Sequence, residues 1–130
     1  MLHQLSKEDV NETFQIRSAL ESYCTLQICK ETNSRKAGKL FKELNKIMEK
    51  MEKIMISSHS IDDFCEYDFR FHTQIINYLE NEQFSSIFAT FMYRMKRLAK
   101  FSLSHEGRME NTYKEHMNIL NAMQSGDVEH

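Results

Sequence analysis

The sequence contains no proline and no tryptophan, and only three glycines in 130 residues. Sandwiches, barrels and collagen-like chains take their turns from frequent Gly and Pro, so this scarcity excludes them. Cysteine is scarce as well. Cys24, Cys29 and Cys65 are odd in number and form no C-x-x-C pair, which excludes a disulfide framework and a zinc knuckle and fits reduced thiols in the cytoplasm. There is no basic excess: 17 Lys and Arg stand against 19 Asp and Glu, a net charge of -2. A face that neutralises nucleic-acid phosphates is not expected from such a balance. No apolar run approaches the roughly 18 residues of a membrane span, and Met1–Val10 lacks the apolar centre of a signal peptide.

What is present is rich in Lys, Glu, Leu and Met, all good helix formers. With 41% hydrophobic and 28% charged residues, the chain can build one core and remain soluble. The sequence predicts a single all-α domain, an antiparallel bundle of five to six helices. The first helix runs from Lys7 to Cys29 with Ser6 as N-cap and Asp9 three residues on, a variant of the capping box. The second spans Ser34 to Ser57, its stripe drawn by Leu40, Phe41, Leu44, Ile47, Met48, Met51, Ile54 and Met55. The third runs from Ser60 to Leu79, the fourth from Glu82 to Leu103, and the fifth from Arg108 to Gln124, with Gly126 as its C′ residue. Asp127 caps the start of a sixth helix that the sequence truncates, so these residues are expected to be a piece of a longer protein.

Ionisable residues fall in the middle of three of the apolar stripes. On the first helix, Arg17 is surrounded by Val10, Phe14, Leu20, Cys24 and Ile28. On the third, Asp68 and His72 share a face with Ile61, Phe64, Cys65, Phe71, Ile75 and Leu79. On the fifth, His116 sits among Met109, Tyr113, Ile119, Leu120 and Met123. A buried charge is expensive unless it meets a counter-charge or a ligand. The coincidence on three helices points to one polar pocket inside the bundle. Asp68 and His72, one turn apart, with His116 on a facing helix, offer one oxygen and two nitrogen donors to a divalent metal. That donor set suits zinc, nickel, manganese or iron without choosing among them, zinc being the first expectation. Arg17 is then placed to bind the carboxylate of a small organic acid, with Tyr23 and Arg94 as further pocket-lining candidates.

Plainer readings stand beside this one. Asp68 and His72 can simply bond to each other, and Arg17 can pair with Asp68 or with Glu21, its neighbour one turn on. The molecule is then a structural helical interaction module with a satisfied polar network. A small metal-dependent enzyme is the third reading, and the weakest. The chain has no G-x-S-x-G, no P-loop and no dinucleotide Gly motif, and no Glu-x-x-His pair for a di-iron bundle. No catalytic residue is expected. His3, His59, His105 and His130 fall in termini or loops, and the Met face of the second helix reads as core.

The same residues carry a family resemblance. The blocks FQIRSALESYC (Phe14 to Cys24), DFRFHTQIINYLENEQF (Asp68 to Phe84) and EHMNILNAMQSGD (Glu115 to Asp127) resemble, in order and spacing, the FadR C-terminal (FCD) effector domain of GntR-type transcription regulators. The resemblance implies metal ligands at Asp68, His72 and His116 and a pocket arginine at Arg17. It further implies a metal-dependent sensor of small carboxylates that dimerises, with residues 1–130 as the effector-binding and dimerisation domain. DNA binding in such regulators belongs to an N-terminal winged-helix domain, which these residues do not include. The family's third metal-binding histidine lies further along than this sequence extends, and His130 does not take its place.

Overall fold

The computed structural model describes residues 7–126 and forms five helices in antiparallel succession: α1 (Lys7–Lys30), α2 (Arg35–Ile56), α3 (Ile61–Asn77), α4 (Glu82–Leu103) and α5 (Arg108–Ser125). No strand occurs among the described residues. The expected cap at Ser6 and the helix start at Asp127 lie outside them.

Local chemistry sets the helix ends. Ser34 accepts from the amide of Ala37 at 3.0 Å to open α2, and Ser60 accepts from Asp63 at 3.2 Å to open α3. Asn81 receives both Gln83 and Phe84 amides to open α4. Each short polar side chain thus satisfies helix amides that have no partner within the helix. α3 stops two residues before the expected Leu79: Tyr78 and Glu80 close tight turns onto Ile75 and Asn77, and Glu80 takes φ 55°. Gly107 and Gly126 take φ 79° and 75° on either side of α5. This left-handed conformation is one that glycine adopts without a Cβ penalty, and it fits Gly126 as the C′ residue.

α3 is the central helix. It packs most broadly on α2 and then on α4, while α1 lies across α3, α4 and α5, and α2 closes against α5. Leu44, Met51, Phe64, Phe71, Ile75, Leu120 and Met123 are fully enclosed in the core. The methionines behave as the stripe predicts, Met48 and Met51 being buried and Met55 partly so.

α1 differs from its wheel. Its buried line is Thr13, Leu20, Cys24 and Ile28, while Phe14 is 43% exposed. The inward face is therefore rotated from the one centred on Arg17, and Arg17 rides at its edge with its side chain 30% exposed. Apolar residues are spread around this helix (Tyr23 and Leu26 point elsewhere), so no single stripe dominates its sequence.

Candidate metal and effector site

Asp68, His72 and His116 are all buried in the bundle interior. The helical period stacks Asp68 and His72 on one face of α3, and α5 brings His116 to the same place. Both rings point Nε2 at a single oxygen: Asp68 Oδ1 lies 2.6 Å from Nε2 of His116 and 3.2 Å from Nε2 of His72. The rings meet edge to face with centroids 4.9 Å apart, and Phe71 packs on His116 at 4.4 Å.

A fourth group completes the cluster. Glu21 on α1, largely buried, sets its Oε1 against Nδ1 of His72. Neither atom finds a hydrogen bond of good geometry, and Nδ1 of His116 is likewise buried without a partner. Arg17 approaches the same Glu21 oxygen from one turn back, at 3.9 Å.

The electrostatics follow from this bracket of carboxylates. Burial works against a charged ring at His72, but Glu21 and Asp68 on its two sides overcome it and push His72 up to about 9. Burial alone would raise Asp68; the charge of His72 and hydrogen bonds from both rings instead hold it well below the usual carboxylate range. Glu21 is likewise lowered, burial being outweighed by His72 first and Arg17 next. His116 moves down, because burial disfavours its charged form and only Asp68 and Glu21 oppose that. These directions favour the charged ring at His72, between two carboxylates, and the neutral ring at His116 beside them. The thiols are inert by comparison, burial raising Cys24 and Cys65 to about 11.

A divalent transition metal accepts such a set. One carboxylate oxygen and two imidazole nitrogens offer ligand atoms all within 4.8 Å of one another. Three protein ligands leave further coordination positions to solvent or a small molecule. The buried, unpartnered Nδ1 of His116 leaves that ring held from its Nε2 side alone. The residues present therefore fit a metal.

A cavity of about 100 Å³ adjoins the cluster, with Arg17, Asp68, His72, Arg108, Thr112 and His116 among its walls. Of the side chains singled out for the effector, Arg17 reaches this cavity. Tyr23 and Arg94 do not line it. Tyr23 is half-exposed and meets Phe84 edge-on, and Arg94 lies over the ring of Phe91. Tyr23 stands six residues beyond Arg17, roughly 240° around the helix, and so faces elsewhere. Two residues of the site escaped the sequence reading. Glu21 was visible only as a partner one turn beyond Arg17, although that spacing puts it on the same face. Arg108, the first residue of α5, reaches the cavity wall with its guanidinium spread over Ser102, Thr112 and Glu115 at 3.3–3.4 Å. The other described histidines are exposed: His59 pairs with Glu110, and His105 meets the carbonyl of Phe101.

A family model described as the FCD domain matches residues 12–130. No curated protein and no solved structure matches the chain.

Proposed function

The chain belongs to the FCD domain family, the ligand-sensing regulatory domains of GntR-type regulators, and from that premise we propose that it takes a divalent metal together with a small carboxylate effector. The observation that carries this reading is the convergence of Asp68, His72 and His116 from two helices beside a cavity that Arg17 also lines. Asp68, His72 and His116 hold the metal, zinc before nickel, manganese or iron. The bound ion supplies a Lewis-acidic centre with positions open to effector oxygens.

Arg17 holds the effector carboxylate through its planar fork of donors, and Arg108 adds a second guanidinium to the cavity wall. At about 100 Å³ the cavity is smaller than the roughly 150 Å³ pocket that accommodates benzene. The effector is accordingly an acid of few heavy atoms. Occupancy draws α1, α3 and α5 onto one ligand. In a homodimeric cytoplasmic regulator this shifts the relative placement of DNA-binding domains supplied outside these residues, to the extent that the ligand binds the two arrangements unequally. No described helix is long and apolar enough to cross a membrane. The family is a regulatory one rather than an enzyme family, and no catalytic role is assigned to any residue.

One observation favours a second reading: Asp68 already accepts from both rings, as a self-sufficient polar network would arrange. Elemental mass spectrometry of tag-free protein separates the two. Near-stoichiometric metal in the wild type, lost in His116→Ala, supports the sensor. Protein that stays metal-free after incubation with zinc, nickel and manganese leaves the polar network in its place.

A further inference from the structure

Glu21 is a carboxylate with no evident reason to be inside the protein. Its side chain is 15% exposed, and burying such an ion is costly unless something compensates. Arg17 does not require this burial. The two lie 3.9 Å apart at a spacing of four residues, and that weak pairing is available on any exposed helix face. The group against which Glu21 is buried is Nδ1 of His72, reached from a different helix.

His72 therefore stands between two carboxylates, one at each ring nitrogen: Asp68 at Nε2 and Glu21 at Nδ1. These are unequal partners for a metal. Asp68 shares its Oδ1 with both Nε2 atoms and belongs to the ligand cluster, while Glu21 approaches the ring from the opposite side. A carboxylate behind a ligating imidazole fixes which nitrogen carries the proton, sets the ring plane and raises the basicity of the nitrogen that faces the ion.

We propose that Glu21 is the positioning residue of the metal site, its carboxylate set against Nδ1 of His72 so that, with metal bound, the proton stays on Nδ1 and Nε2 is presented to the ion. The inference rests on the metal reading above and extends it to a residue outside the ligand set. It also gives Glu21 a double attachment. The same oxygen that orients a metal ligand lies one helical turn from the arginine that takes the effector, so α1 contributes to both halves of the site through adjacent side chains.

The test is zinc affinity by chelator competition on the full chain, for wild type, Glu21→Ala and Glu21→Gln. Glu21→Ala should weaken zinc on the order of 10–100-fold. Glu21→Gln keeps an acceptor for Nδ1–H in the same place and should recover most of that loss. Nitrogen-15 spectra of the zinc-loaded wild type supply a readout that a merely structural role would leave unmoved, and one that survives if a variant fails to fold. They should show His72 protonated at Nδ1 and metallated at Nε2. Metal on Nδ1 overturns the proposal, as does wild-type zinc affinity in Glu21→Ala. A wild type that binds no zinc at all overturns the metal reading itself, a distinct result from wild-type binding that Glu21→Ala matches.

Discussion

α2 and α3 pack on one another more broadly than any other pair, yet their buried faces differ in kind. That of α2 is apolar throughout, from Ala37 and Leu40 to Met51. That of α3 sets Asp68 and His72 among Phe64, Phe71 and Ile75. Each large apolar side chain on α2 contributes about 1.5–3 kcal/mol by leaving water. The ionisable pair on α3 must first recover the cost of desolvation from its partners. One helix makes the bundle stable, and its neighbour uses that stability to hold charge where water would otherwise take it.

Substitutions sharpen this contrast. The largest effect belongs to α2: Met51→Ala or Leu44→Ala should lower unfolding free energy by about 2–5 kcal/mol. Denaturant titration should show the loss with and without zinc alike, since neither residue lines the cavity beside the cluster. On α3, Asp68→Ala should abolish the rise in melting temperature that zinc confers. That rise corresponds to about 2.7 kcal/mol when free metal is 100 times its dissociation constant. A zinc response that survives Asp68→Ala would erase the distinction between the two helices.

Acidity provides the next test. Because His72 is raised to about 9, its charged-state contribution to metal-free stability is fully present below its unfolded value near 6.5 and is lost as pH rises through about 9. Asp68 is lowered, so its contribution is present above its unfolded value and is lost as pH falls toward its depressed one. Zinc affinity should run the other way across pH 6.5–9, strengthening as His72 gives up its proton. Melting curves and chelator competition over that range check both slopes. The smallest effect separates Arg17 from Arg94. Arg94→Ala should leave the combined thermal response to zinc and acetate unchanged, whereas Arg17→Ala should remove the acetate increment.

The parts legible in the sequence were those in which one residue type acts alone. Ser34 and Ser60 mark helix starts by local chemistry, and Asp68, His72 and His116 stand out because each interrupts an otherwise apolar face. Glu21 was hidden for the opposite reason. Beside Arg17 it reads as an ordinary surface pair, and only the third helix reveals what it faces. α1 also carries apolar residues on several sides, so its inward direction was misjudged, and with it the reach of Tyr23. Arg108 follows a glycine turn with no stripe to orient it, and its long side chain crosses a distance that periodicity does not measure.

The corner between α1 and α2 has a mechanical consequence. Thr32 donates its hydroxyl hydrogen to the carbonyl of Met123 at 2.7 Å and lies 3.1 Å from that of Gln124, and its methyl would stand 3.3 Å from a Cβ at Gly126. The last turn of α5 is thereby clasped, while its first residue follows Gly107 with no side-chain cap. Its first turn is tied by side chains instead, Arg108 reaching Ser102 at 3.3 Å and Glu110 meeting His59 at 3.1 Å. His116 sits between these two anchorages, so a displacement at the histidine is passed to both the Thr32 corner and the α4–α5 corner rather than absorbed at a free end.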